Sequence, residues 1–379
     1  MVKASKNFSS KLFDKVTKHG LSPPSLAPRN PHREPTIPFA EQAWRRLRRT
    51  RSCTSIDAAA LHSLLPFPSL IRHLRAGLAH PELSAGIQCP QRVSFPLPTA
   101  PSAALLLMPS WCAHPSLPYL ALKAVTSFPS NTPRLPSVHA AVSLFSSATG
   151  APLASVDGSA LTLLRTAAVS ALAASLLASP SRPPAVLALA GAGALAPYLA
   201  EAHLAALPSI SRVLVWNRTR SKSAALVARL RGAHRGLAVE EVEAMDEAVA
   251  AADIVSCATG SREPIVRGGL LRPGAHLDLV GSFTPAMREC DDEALRRGRV
   301  FIDFEAAMEE AGELVGAVQR GVLRRTDVAG TLAELAAGTV EGRRSDDEIT
   351  VFKSVGTAVV DLLAAQLAYE THIAATKNA

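Results

Sequence analysis

The chain has 379 residues, about half of them apolar, with aromatic residues only 4% of the total. That length suits two folded cores better than one, since single cores stop growing at about 250–300 residues. The net charge of +8 sits in the first 51 residues, which hold 12 Lys/Arg and 3 Asp/Glu, while residues 52–379 hold 28 basic and 29 acidic side chains; the body has no basic stripe to follow a nucleic-acid backbone, which argues against a nucleic-acid partner.

Residues 1–51 are rich in Lys, Arg, Ser and Pro and lack the apolar core of a secretory signal. They fit an organellar transit peptide, which would place the protein in a plastid; a polar tail or a misplaced start, with a cytoplasmic protein, are the alternatives. At their end, running on to Cys53, "EQAWRRLRRTRSC" has the makings of a short basic helix. The five cysteines (Cys53, Cys89, Cys112, Cys257 and Cys290) form no C-x-x-C pair, and the histidines show no H-x-x-x-H spacing, so neither a disulfide framework nor a metal is expected.

From Ser55, "SIDAAALHSLLPFPSLIRHLRAGLAH" has helical spacing interrupted by Pro66 and Pro68, which predicts two short helices. Strands and turns follow over 90–157, with Thr149-Gly150 turning between two apolar runs as in a hairpin. Residues 159–178 form a long alanine-rich helix that ends before "SPSRPP". From Ala185 short apolar runs ("AVLALA", "RVLVWN", "LAVE", "DIVSCAT", "HLDLVG", "RVFID") alternate with helical stretches, the pattern of a doubly wound parallel sheet. The C-terminal helix "SVGTAVVDLLAAQLAYETHIAAT" cannot extend that sheet and is expected to return to the first domain.

"VLALAGAGALAPYLAEAHL" is apolar enough to suggest a membrane span. Over 184–200, a length of only about 17 residues, two glycines and two prolines (Pro184 and Pro197) weigh against one, and no second candidate span is evident. Read instead as strand, turn and helix, it carries G-x-G-x-x-A. Gly191 makes the tight turn, Gly193 leaves room for a pyrophosphate, Ala196 keeps the helix close to the sheet, and the amides of Ala192, Ala194 and Leu195 are available to an anion. About 25 residues on, where an NAD enzyme places an acid on the ribose, stand Asn217, Arg218 and Thr219. A neutral residue beside a guanidinium favours a 2′-phosphate and predicts NADPH over NADH, unless Arg218 is merely a solvated turn residue.

These motifs, with "CATGSREPIV", "PGAHLDLVGSFTPAMRECDDEAL", "GRRSDDEITVFKSVGTAVVDLLAA", "LALKAVTSFPSNTPRLPSVHA" and "ATGAPLASVDGSALTLLRTAA", resemble the ornithine cyclodeaminase/mu-crystallin family over about residues 55–375. Among its members the chain looks most similar to plant reductases of 1-piperideine-2-carboxylate, which make pipecolate. The resemblance implies an α/β fold: a Rossmann doubly wound parallel sheet (181–330) plus an α+β dimerisation and substrate domain (52–180), completed by the C-terminal segment 331–379, in a homodimer. It implies that Arg92, Lys123 and Arg165 hold a substrate carboxylate or line the site, and that Ser137, Asn217, Arg218, Thr219, Thr259 and Ser354 lie at or near the cofactor. Structural ion pairs are the plainer reading of Arg92 and Arg165, and a surface position that of Lys123; the costs of burying Lys123 and Arg165 in apolar stretches favour a site.

One departure bears on the reaction. Cyclodeaminases carry "VGGD" where this chain has "VGSF", so Phe283 stands in place of an acid that takes part in ornithine deamination. The resemblance therefore implies NADPH-dependent hydride transfer to the C=N bond of a small cyclic imine carboxylate. A small-ligand-binding role like that of some mu-crystallins, and ornithine cyclodeaminase itself, are the alternatives.

Overall fold

The computed structural model describes residues 53–378 apart from 101, 113 and 132–134; the basic tail and the short helix expected within it lie outside them. Strand β1 (Thr54–Ile56) leads into α1 (Ala58–Leu64), whose first turn is capped by the Asp57 carboxylate accepting from the Ala60 amide at 2.8 Å. The prolines act as start signals, where a missing N–H costs little. Pro66 and Pro68 open α2 (Phe67–Ala79), and Pro81 opens a third helix, α3 (Pro81–Gly86), beyond the two expected.

Five more strands follow: β2 (Val93–Pro96), β3 (Ala104–Trp111), β4 (Tyr119–Ser127), β5 (Val138–Ser146) and β6 (Pro152–Asp157). With β1 they form a sheet of order β1-β6-β5-β4-β3-β2, antiparallel except for the β1/β6 pair. The β5–β6 turn lies at Thr149-Gly150, with Gly150 at φ +71°. Met108, Ser110, Tyr119, Ala121, Lys123, Val142 and Leu144 point to the buried face. The other face carries Val93, Phe95, Leu105, Leu107, Leu120, Leu122 and Phe145, apolar yet half-buried to exposed.

Helix α4 (Gly158–Leu177) is apolar nearly all round, so it is buried on nearly every side, packed against both sheets. By length and composition it too would pass for a membrane span, and it is mostly buried inside the protein. The sequence expectation of no second candidate span is thereby corrected.

The second sheet has the order β13-β12-β14-β11-β10-β7-β8-β9, with every pair parallel. Its elements are β7 (Val186–Ala190), α5 (Ala196–Ala206), β8 (Arg212–Trp216), α6 (Arg220–Ala233), β9 (Ala238–Glu241), α7 (Met245–Ala251), β10 (Ile254–Cys257) and β11 (His276–Leu279). They continue with α8 (Asp292–Arg297), β12 (Gly298–Ile302), α9 (Ala307–Glu310), α10 (Gly312–Gln319), β13 (Gly330–Thr331), α11 (Leu332–Ala337) and β14 (Ile349–Lys353). The order of winding reverses between β7 and β10, so a crevice opens at their carboxyl ends, where such sheets bind ligands. The stretch that looked like a membrane span is β7, its turn and α5.

Helix α12 (Ala358–Asn378) leaves this sheet and packs on β3, β4, α1, α2 and α4. The segment 331–379 does not return as a whole, however. β14 lies between β11 and β12 inside the parallel sheet, so the chain crosses over only after Lys353. Sequence reading missed β14 because Lys353 breaks its apolar pattern; in the fold that lysine is fully buried, 3.7 Å from the buried Glu313.

Candidate active site

Strand β7 runs directly into Gly191, whose φ of +107° is one that side-chain-bearing residues rarely adopt. A Cβ there would stand 2.8 Å from the Ala258 carbonyl oxygen, whereas one on Gly193 would meet nothing within 4 Å. The turn is thus tight against β10 at its first glycine and open at its second, as a phosphate group requires. The Gly191 amide donates to the Trp216 carbonyl at 2.8 Å, and the Ala192 amide to Asn217 Oδ1 at 3.1 Å. Asn217 in turn donates from Nδ2 to the Thr219 carbonyl at 2.8 Å, so it braces the turn as well as removing negative charge from the β8 end. Arg218, Thr219 and Lys222 line this end of the cleft, and among the described residues no carboxylate does. Arg218 and Lys222 have no ion-pair partner among the described residues. Sequence reading missed Lys222, one turn into α6.

The cleft continues past Gly193, Ala258, Thr259 and Gly260, which belong to both its ends. Thr259 is held by a buried carboxylate: Glu289 Oε1 accepts from its amide at 2.6 Å and its hydroxyl at 2.8 Å, while Oε2 accepts from the Gly281 amide at 2.8 Å. One side chain therefore ties the loops after β10 and β11 together. Burial pushes the Glu289 carboxyl up, an effect that Lys353 opposes.

At the inner end Ser137 and Val138, Ala194 and Leu195, Thr162 and Arg165, and Ser354 to Gly356 converge on one cavity. Phe283, 53% exposed, stands in its wall. Ser354 faces the cavity, but its hydroxyl is engaged: it donates to Asp303 Oδ2 at 2.8 Å, beside the amides of Val355 (3.0 Å) and Gly356 (2.7 Å). Asp303 thereby fixes the loop after β14. Burial raises its carboxyl pKa, against the pull of those three donors.

Behind this loop lies a charged cluster. Lys123 Nζ donates to both oxygens of Asp361 at 3.0 and 3.2 Å, and Arg165 Nε donates to Asp361 Oδ1 at 3.0 Å. All three side chains are almost wholly buried. The far end of the Arg165 guanidinium lies against Gly356, where a Cβ would come within 2.8 Å of Nη1. Arg92 approaches the same glycine from the other side, donating to its carbonyl at 2.8 Å and pairing with Glu310 at 3.0 Å.

The placement of the three expected cations is therefore uneven. Arg165 lines the cleft, Arg92 lines a smaller hollow beyond Gly356, and Lys123 lines neither. Lys123 stands behind Arg165 with its charge taken up by Asp361, which corrects the expectation of an ammonium in the wall and also excludes a surface lysine. Burial lowers its pKa to about 8, with Asp361 pulling upward and Arg165 and Arg92 downward. Burial opposes ionisation of Asp361, but Arg165 and Lys123 outweigh it and hold the carboxyl below its ordinary range. Asp361, Asp303, Glu289 and Glu310 escaped sequence reading. The signal for Asp361 was present: one acid in "AVVDLLAAQLA" has the same cost in an apolar helix that singled out Lys123 and Arg165.

The model of the ornithine cyclodeaminase/mu-crystallin family matches residues 57–376. The chain belongs to this family. Its curated relatives include the Arabidopsis thaliana protein SAR DEFICIENT 4, 48% identical over 84% of this chain and 97% of that protein. They also include a Δ1-pyrroline-2-carboxylate reductase of Colwellia psychrerythraea, 36% identical over 83% and 98%. Among solved structures, the Δ1-pyrroline-2-carboxylate reductase of Thermococcus litoralis, in complex with NADH and L-proline, superimposes with a TM-score of 0.79. It is 31% identical, over 85% of this chain and 98% of that one.

Proposed function

We propose that this protein is an NADPH-dependent reductase of cyclic ketimine carboxylates, converting 1-piperideine-2-carboxylate to pipecolate. The observation that carries this reading is the continuous cleft running from the open turn at Gly193 to the guanidinium of Arg165. It has the parts a hydride transfer to a small carboxylate needs, in a chain whose family relatives include reductases of a cyclic imine carboxylate. The bound dinucleotide would supply hydride to the imine carbon. Gly191 to Leu195 would hold its pyrophosphate, and the loop fixed by Glu289 would hold its position at Thr259. Arg218 and Lys222, with no acid beside them, support NADPH over NADH. Arg165 would take the substrate carboxylate, with Arg92 across Gly356 and Lys123 setting the charge behind it. Phe283 would pack against the ring, and its lack of a titratable group disfavours ornithine cyclodeamination.

The test is to mix the purified full-length chain with NADPH and 1-piperideine-2-carboxylate and follow the reduced-nicotinamide absorbance. Δ1-Pyrroline-2-carboxylate, NADH, and ornithine with NAD serve as comparisons. Faster turnover of the five-membered ring would reassign the substrate, and tight ligand binding without turnover would favour a binding protein.

Two further parts of the reading have separate tests. The apolar outer face of the first sheet supports a homodimer, with Val93 and Phe95 about half exposed on its edge strand. Light scattering after gel filtration should give twice the chain mass, and Phe95→Asp should shift it toward monomer. The basic, acid-poor first 51 residues support plastid import; a fluorescent fusion that stays in the cytoplasm would contradict it.

A further inference from the structure

Lys123 and Arg165 come from different elements, β4 and α4, and among the described residues neither has another carboxylate within hydrogen-bonding distance. Asp361, from the first turn of α12, is the one carboxylate among the described residues that meets both. Its Oδ1 accepts from both cations and its Oδ2 from Lys123 alone. Because the carboxylate takes Arg165 through Nε, the two terminal nitrogens stay directed along Gly356 toward the cleft. The three side chains together carry one surplus positive charge, and a single incoming carboxylate neutralises it.

We propose that Asp361 is a positioning residue that holds Lys123 and Arg165 as one unit with a single surplus charge, so that the site takes ligands bearing one carboxylate and depends on the ammonium of Lys123. This deepens the reading of the cleft as a carboxylate site and rests on it.

The charge of Lys123 is set by every element around it. Asp361 of α12 favours the ammonium, and Arg165 of α4 and Arg92 ahead of β2 oppose it, as does burial. Glu310 and Asp303 act one step further out, through Arg92 and Arg165. With a pKa of about 8, the ammonium is present below that pH and is lost as the pH rises through it. Removing the Asp361 charge leaves only the opposing influences, so the loss moves to lower pH.

The experiment measures L-proline binding to the full-length protein saturated with NADP+, by calorimetry from pH 6 to 9.5, for the wild type, Asp361→Asn and Asp361→Glu. The wild type should weaken as the pH rises through about 8. Asp361→Asn should weaken binding about tenfold at pH 7.5 and move the fall down by about one pH unit or more, a shift worth about a factor of ten in the Lys123 equilibrium. Asp361→Glu should recover part of both, and NADP+ affinity should stay within about twofold of wild type in all three, because the cofactor turn lies elsewhere. A pH profile unchanged in Asp361→Asn, or an equal loss of NADP+ affinity, would overturn the proposal in favour of a purely structural role. Wild-type protein that ignores proline at every pH would overturn the carboxylate-site reading itself. Wild-type binding that follows the expected profile without any imine reduction would remove the catalytic reading and leave this one standing.

Discussion

The two ends of the cleft are built from different materials. At the dinucleotide end the working parts are backbone: a glycine at φ +107°, amides along Ala192 to Leu195, and a packing against the Ala258 carbonyl that leaves no room for a Cβ. At the inner end the working parts are charged side chains brought together from β4, α4 and α12, with Asp361 lying 238 residues from Lys123 and 196 from Arg165. A backbone site tolerates most changes around it and fails where a side chain intrudes. The side-chain cluster fails when its shared carboxylate is removed, because the two cations are then left buried without their partner; breaking a buried pair this way costs about 3–5 kcal/mol.

The contrast can be broken most severely at Arg165. Arg165→Ala should lower kcat/KM for the imine about a hundredfold or more while NADPH affinity stays within about twofold, since a charge-assisted bidentate contact is lost only at the inner end. Comparable losses in both measurements would erase the distinction between the ends. Gly191→Val is the converse. A branched residue at that φ, against the Ala258 carbonyl, should weaken NADPH binding about tenfold or more and lower the melting temperature by several degrees, as read by fluorescence titration and calorimetry. Retained affinity would show that the turn has another conformation available.

Smaller changes sharpen the comparison within the dinucleotide end. Arg218→Ala should raise the KM for NADPH about tenfold and leave that for NADH nearly unchanged, with a salt dependence that disappears in the variant. Equal effects on both cofactors would remove Arg218 from the 2′-phosphate. Asn217→Ala takes away one brace on the Ala192 amide and should weaken both dinucleotides about threefold to tenfold, the usual worth of one hydrogen bond. No effect would mean that the turn is held by its glycines alone.

Legibility in the sequence follows the same division. The turn, the neutral residue after β8 and the cation beside it are local, so Gly191, Gly193, Asn217 and Arg218 stood at readable spacings. Lys123 and Arg165 were visible as charges out of place in apolar runs, but their positions were not. Nothing in "ALKAV" tells that the lysine lies behind the arginine rather than beside it. The carboxylates that organise the inner end were harder still. Asp361 and Asp303 act on residues far away in the chain, and Glu289 is one acid among several in "RECDDEAL". Strand β14 was missed because its buried Lys353 is supported by Glu313, a partner only the fold supplies. The alternation of strands and helices was read from periodicity, whereas the boundary set at 331 fell before the last strand had joined its sheet.

On the proposed function, one cleft joins a dinucleotide turn to a site for a single carboxylate, and a cyclic imine is reduced between them. Single-turnover oxidation of NADPH by full-length protein mixed with 1-piperideine-2-carboxylate, with pipecolate measured in the quenched sample, tests it most directly. One pipecolate should form per NADPH consumed, and none with Arg165→Ala on the same timescale. NADPH that stays reduced in the wild-type mixture, with the imine intact, would contradict it.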